Sequence, residues 1–269
     1  MTDNQQSQLE AQSVTLGYGG HIVTCRDLTL AIPPGSFTVV VGPNACGKST
    51  LLRAMARLLV PNEGQVVLNG QDINRLKTRD VARRLGLLPQ TSTAPEGISV
   101  AELVVRGRYP HQSFLRQWSA ADEEAVRSAI AATNIADFSD RPVDTLSGGQ
   151  RQRAWVAMAL AQETPILLLD EPTTFLDIAH QIDLMDLLER LNRQGRTIVA
   201  VLHDLNQAAR YASHLVAMKD GKVIAEGHPG DVVTQEMVKA IFDITCVVID
   251  DPVTGLPMVV PAKNAHAEP

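Results

Sequence analysis

The residues Gly42-Pro43-Asn44-Ala45-Cys46-Gly47-Lys48-Ser49 constrain this chain more than any other stretch. They follow an apolar, β-branched run, 37–41, and precede 51–59, where apolar residues recur at helical spacing until Pro61. Strand, glycine-containing loop and helix in that order make the phosphate-binding element G-x-x-x-x-G-K-[ST]. Glycines let the backbone curl so that successive N–H groups point inward at phosphate oxygens. The helix that starts near Lys48 aims its positive end at the same point. Lys48 is then placed to reach the β- and γ-phosphates of a nucleotide, and the Ser49 hydroxyl to bind Mg²⁺. An ordinary glycine turn is the alternative, and the strand-before, helix-after context argues against it.

A second constellation lies further on. The apolar run 166–169 ends in Asp170-Glu171. A carboxylate at such a strand end can reach a Mg²⁺ held by the phosphate loop, the role Asp170 would take. Glu171, one step on, would polarise a water in line with the γ-phosphate. Without the loop, both acids could simply end a buried strand in solvent or cap the next element. Leu146-Ser147-Gly148-Gly149-Gln150 precedes a helical stretch, 151–161. Serine and glycines at a helix start make either a second anion-binding nest or only an N-cap and turn. One nucleotide does not need two separate nests. The economical explanation is that this loop completes the site of a second copy, with the nucleotide between protomers.

The rest of the chain fits an α/β fold. Short apolar runs at 14–16 and 28–32, separated by Gly17-Tyr18-Gly19-Gly20, suggest antiparallel strands joined by a turn. Runs at 64–68, 85–88, 166–169, 197–202 and 215–218 read as strands, with a helix over 179–194. Alternation of strand and helix implies a parallel sheet with helices on its faces. Between about 93 and 163 strand signals vanish, and 119–133, with Asp122, Glu123 and Glu124 in its first turn, reads as a helix. This is a helical insert. The stretches 246–249 and 258–260 around Asp251-Pro252 suggest a terminal hairpin, and polar residues 1–11 a disordered tail.

Composition excludes several classes. A net charge of −6 gives no global positive field for nucleic acid or an anionic membrane surface, so any phosphate must be held locally. No apolar run approaches the roughly 18 residues that span a bilayer. The polar start MTDNQQSQLE is unlike a signal peptide. Cys25, Cys46 and Cys246 show no metal-ligand or disulfide-framework spacing, which predicts a reduced, cytosolic protein. Cys46, beside Lys48 and a helix start, invites a lowered thiol pKa. The plainer alternative is a small residue that fits the loop. Arg106, Arg108 and Arg116 with Tyr109, Phe114 and Trp118 suggest a solvated face of the insert.

Taken together, the loop at 42–49, LSGGQ at 146–150 and the strand ending in Asp170-Glu171 resemble the ABC transporter ATPases. LSGGQ is the mark of that family among phosphate-loop proteins. The resemblance covers 13 to about 261 and implies a P-loop NTPase core with a mostly parallel sheet, an N-terminal antiparallel β subdomain and a helical insert. It implies one ATPase domain over 12–262: core 12–92 and 164–240, helical subdomain 93–163, C-terminal hairpin 241–262. It assigns nucleotide contacts to Gly42, Pro43, Asn44, Ala45, Cys46, Gly47, Lys48, Ser49 and Thr50, and to Ser147, Gly148, Gly149 and Gln150 from a second copy. Tyr18 matches the aromatic residue that stacks on adenine, and Gln90 the glutamine that touches Mg²⁺ or the lytic water. Asp177 matches the aspartate at the dimer seam, and His203 the histidine that contacts the γ-phosphate. Glu171 and His203 would be catalytic; Ser49, Gln90 and Asp170 would serve the metal.

Gly107-Arg108-Tyr109-Pro110-His111, the stretches Arg141-Pro142-Val143 and Thr173-Thr174-Phe175-Leu176-Asp177-Ile178, and the terminal 249–261 are similar to importers of ferric siderophores, with haem and cobalamin importers as near relatives. The implied partners are a second ATPase subunit, transmembrane permease subunits and, indirectly, a periplasmic or lipoprotein siderophore-binding protein. The implied location is peripheral, at the cytoplasmic face of the inner membrane, with no nucleic acid. The basic cluster of the insert would then face the permease. A non-transport ABC ATPase would usually carry two cassettes or a long coiled-coil insertion, and neither is visible. A module that holds ATP without turnover is opposed by Lys48, Asp170, Glu171 and His203 together. The departure is Ala45, where the family more often has glycine. If that position needs positive φ, alanine strains the loop by about 1 kcal/mol.

Overall fold

The computed structural model describes residues 8–19, 22–90, 93–112 and 118–262. The chain divides into two compact units near Arg75/Leu76 and Ile198/Val199. The first opens with β1 (Leu9–Tyr18) and β2 (Ile22–Ile32), an antiparallel pair with Tyr18 opposite Ile22. The connection therefore falls at 19–21, and Gly17 and Tyr18 belong to β1 rather than to the turn. The strand also begins earlier than the polar N-terminus suggested. Leu9 and Ala11 are fully buried, because pairing with Ile32 and Leu30 on one side and with Leu68 and Val66 on the other turns them into the sheet. The expected tail up to residue 11 is thus too long; residues 1–7 lie outside the described part.

After β3 (Phe37–Val41), buried along its length, come the phosphate loop and α1 (Lys48–Met55). This helix stops short of 59, because Arg57 adopts φ 60 and Leu58 and Leu59 turn back onto the carbonyl of Arg53. Then β4 (Glu63–Leu68) and the two-residue β5 (Gln71–Asp72) complete an antiparallel sheet of order β2-β1-β4-β5.

The second unit holds α2 (Thr78–Ala82), β6 (Leu85–Leu88), α3 (Val100–Val105), α4 (Ala120–Ala132), α5 (Gly148–Ala161), β7 (Ile166–Asp170) and α6 (Ile178–Arg193). β6 and β7 run parallel, Leu85 opposite Ile166. This unit is wider than the insert expected at 93–163. Gln162 at the end of α5 donates to the carbonyl of Ala82, and His111 Nε2 lies 2.8 Å from the carbonyl of Gln162, so the end of α5 is tied to α2 and to the segment after α3. α3, α4 and α5 each start at a serine that caps the helix reciprocally with the third residue on: Glu102, Asp122 and Gln150.

Arg108 is not part of a solvated face. It is 4% exposed, bonded at 2.9 Å to Asp122 and at 2.7 Å to both Glu163 and the carbonyl of Ala161. A buried guanidinium requires such pairing. Tyr109 and Trp118 are exposed, as expected; Phe114 and Arg116 lie outside the described residues.

β8 (Thr197–Val201) carries the chain back to the first unit, where α7 (Leu205–Tyr211), β9 (His214–Lys219), β10 (Lys222–Gly227), α8 (Pro229–Val232), α9 (Gln235–Phe242), β11 (Cys246–Asp250) and β12 (Pro257–Pro261) follow. β9 runs parallel to β3 and antiparallel to β10. β11 and β12 form the expected hairpin, tied to α7 by Arg210–Asp251 at 2.7 Å and by Asn206 to both backbone groups of Val259. The strand β10 and the helices α7 to α9 had no place in the sequence expectation. Among the described residues, no helix is long and apolar enough to cross a membrane.

Candidate functional site

In the first unit the phosphate loop leaves β3 and curls against β2 and β9. Gly42 has φ 153, and a Cβ there would sit 2.2 Å from the carbonyl oxygen of Met218. Gly47 has φ 106, and its Cβ would sit 2.7 Å from Cys25 Sγ. Both positions therefore accept only glycine, which explains the spacing that sequence reasoning seized on. Ala45 lies between them at φ 62. The positive φ suspected from the sequence is real, so this alanine carries a left-handed strain of about 1 kcal/mol.

Lys48, 5% exposed, folds its ammonium over the loop and donates to the carbonyls of Gly42 and Pro43 at 2.8 Å each. A second tie runs from the Gly221 N–H to the Cys46 carbonyl at 3.0 Å. The N-cap of α1 is Gly47, which offers no side chain to the first-turn N–H groups. N–H groups at a helix start suit an anion, and a polyphosphate fits that kind of donor set.

Cys46 fits the plainer reading of a small residue in the loop. Its thiol is pushed above its usual range, because burial outweighs the lowering by Lys48. Cys25, behind Gly47, is raised to about 11 by burial, with Cys46 adding to the effect. A thiol raised in this way is a weaker nucleophile near neutral pH than a free cysteine. Tyr18 ends β1 half exposed, and His203 lies exposed beyond β8, just before Asp204, which caps α7.

In the second unit β7 delivers Asp170, 2% exposed, and then Glu171, 9% exposed. Glu171 takes φ 53, which swings its side chain off the strand direction. Its Oε2 accepts from Gln90 Nε2 at 2.7 Å and from Thr174 Oγ1 at 3.4 Å. Gln90, expected at a metal or a water, thus meets the glutamate directly. Ser147 caps α5: its Oγ accepts from the Gln150 N–H and Gln150 Oε1 from the Ser147 N–H. Ser147 and Gly148 are exposed. Asp177 caps α6, accepting from the His180 N–H at 3.0 Å, with His180 Nδ1 2.7 Å from the same oxygen. Those two bonds hold its carboxyl below the usual range.

The first unit thus carries Gly42 to Thr50, Tyr18 and His203; the second carries Gln90, Ser147 to Gln150, Asp170, Glu171 and Asp177. Sequence reasoning missed the supports: Cys25 behind Gly47, Thr174 beside Glu171, Gln152 and Gln181 under the turn after it, and His180 on Asp177. Of these Gln152, two residues beyond the LSGGQ stretch, and Thr174, inside the 173–178 stretch, stood near a recognisable signal.

A phosphate loop in one unit and, in the other, an exposed serine–glycine helix start with a glutamate-bearing turn define an ATP-binding cassette. The ABC transporter family pattern matches residues 25–174, and the chain belongs to that family. It is 57% identical to the ferric enterobactin transport ATP-binding protein FepC of Escherichia coli strain K12, over 95% of this chain and 94% of that one. Among solved structures, one described as an inward-facing metal-chelate type ABC transporter covers 95% of this chain and 97% of its own at TM-score 0.79 and 26% identity. The dimeric bacterial cassette MJ0796 covers 82% of this chain and 98% of its own at TM-score 0.74 and 28% identity. The chain is an ATP-binding and ATP-hydrolysing subunit of an ABC transporter.

Proposed function

We propose that this subunit drives import of a ferric siderophore through a separate membrane permease, working as one of two copies at the cytoplasmic face of the inner membrane. The likeness to FepC over nearly all of both chains supports the cargo class. The left-handed phosphate loop with Lys48 folded over its mouth carries the ATPase part. A periplasmic or lipoprotein siderophore-binding protein would hand cargo to the permease.

The two copies close head to tail, each holding ATP on Gly42 to Thr50 and facing Ser147 to Gln150 of the other. Tyr18 stacks on adenine, and Asp177 lies at the seam. The oxygen donors of Ser49, Asp170 and Gln90 suit a hard cation, and Mg²⁺ bound there would neutralise phosphate charge. Lys48 and His203 hold the γ-phosphate. Glu171 takes the proton of the attacking water, and for this it must exchange its bond with Gln90 for one to that water. Positioning and charge stabilisation supply most of the rate.

The experiment is uptake of labelled iron chelates by a strain lacking this gene, with several siderophores and cobalamin tested side by side. Loss of uptake for one ferric siderophore, restored by the intact gene and not by the Lys48→Ala variant, is the expected result. Unchanged iron uptake with lost cobalamin uptake would replace the cargo.

A further inference from the structure

The turn from Glu171 to Asp177 is held from outside itself. Glu171 (φ 53) and Phe175 (φ 67) both sit in the left-handed region without being glycine. The turn's own backbone supplies the bonds Thr174 N–H to Glu171 at 3.2 Å and Leu176 N–H to Thr173 at 3.3 Å. Two helices add the rest. Gln152, on α5, donates from Nε2 to the Pro172 carbonyl at 3.0 Å. Gln181, on α6, donates to the carbonyls of Leu176 at 3.1 Å and Thr173 at 3.4 Å. The first turn of α5 also lies against this segment. A Cβ at Gly148 would be 3.5 Å from Phe175 Cβ, and one at Gly149 3.4 Å from Leu176 Cδ2.

We propose that Gln152 is a positioning residue for hydrolysis, carrying the placement of α5 to the carboxylate of Glu171 in the same chain. This rests on the composite site proposed above. Ser147 to Gln150 form the start of α5 and face the ATP of the other copy, while Glu171 serves the ATP of its own loop. Gln152 then lets occupancy of the neighbouring site set the geometry of this one.

The chemistry suits the task. Pro172 has no N–H, so its carbonyl is the hydrogen-bonding handle of the residue that follows Glu171. A glutamine on a 14-residue helix grips that handle with a neutral donor. Misplacement of a reacting group by about 1 Å can cost on the order of a hundredfold in rate.

The test is ATP turnover by the transporter assembled with its permease in lipid vesicles. Gln152→Ala and Gln152→Glu, the latter equal in length but without a donor, should lower kcat about tenfold with KM for ATP within about twofold. Gln152→Lys, which can still donate to the carbonyl, should recover most of the rate. A normal kcat in Gln152→Glu overturns the proposal. So does an equal loss in all three variants accompanied by a matching fall in Tm, which is the mark of a merely structural contact. Glu171→Gln is run in parallel. If it is inactive, a normal Gln152→Glu sinks only the positioning role; if it turns over normally, the general-base role of Glu171 and the positioning role fall together.

Discussion

The phosphate loop and the turn after Glu171 solve the same problem by different means. Each must hold residues at positive φ in a fixed shape. The loop does so mainly with its own residues: glycine at 42 and 47, alanine at 45, and Lys48 bonded to the carbonyls of Gly42 and Pro43, with one outside tie from the Gly221 N–H to the Cys46 carbonyl. The turn puts glutamate and phenylalanine at positive φ and borrows Gln90, Gln152 and Gln181 from elsewhere in its unit. A loop stabilised by its own backbone tolerates little change in its own residues. A turn stabilised from outside is adjustable, because whatever moves the helices moves it.

The contrast can be broken most severely at Glu171. Glu171→Gln keeps the hydrogen-bonding shape and removes the base, so turnover should fall by roughly 10²–10⁴-fold while ATP binding persists. Phosphate release and equilibrium nucleotide binding check this together, and normal turnover would remove the general-base role. Gly42→Ala attacks the loop instead. Its Cβ would overlap the Met218 carbonyl at 2.2 Å, so the loop must open, at a cost of about 2–4 kcal/mol in stability and with loss of ATP binding. Chemical denaturation measures it, and a neutral result would show that the loop is not pinned against β9.

A smaller effect of opposite sign is expected at Ala45. Ala45→Gly relieves the left-handed strain, and should raise Tm by at most about 2–4 °C without weakening ATP binding. A lowered Tm would mean that the alanine is held there at no cost. The smallest effect concerns the thiols. With Cys25 near 11 and Cys46 also raised, native alkylation near pH 8 should be far slower than in the unfolded chain, and should speed up as pH climbs toward 11. Mass spectrometry of native and denatured samples checks this. Rapid native labelling of Cys46 would return it to the list of reactive groups.

The buried strands are legible in the sequence. The apolar run of β3 stops where the phosphate loop begins, and that of β7 stops at Asp170. Elements with a polar face were less so. β10 alternates exposed and half-buried residues at an edge, and the start of β1 hides Leu9 and Ala11 among polar neighbours. The arginine at 108 looked like surface because a buried charge is defined by partners 14 and 55 residues away, Asp122 and Glu163.

The site divides along the same line. Gly42 to Ser49, Ser147 to Gln150 and Asp170-Glu171 were legible because each is a short run at a loop, helix start or strand end that neighbouring residues in the chain specify. The direction of the Cys46 shift, the bond between Gln90 and Glu171, and the grip of Gln152 on Pro172 were decided by the tertiary structure. Each depends on groups brought together across distances in sequence that no local pattern records: burial set the thiol, and packing of α5 set the turn.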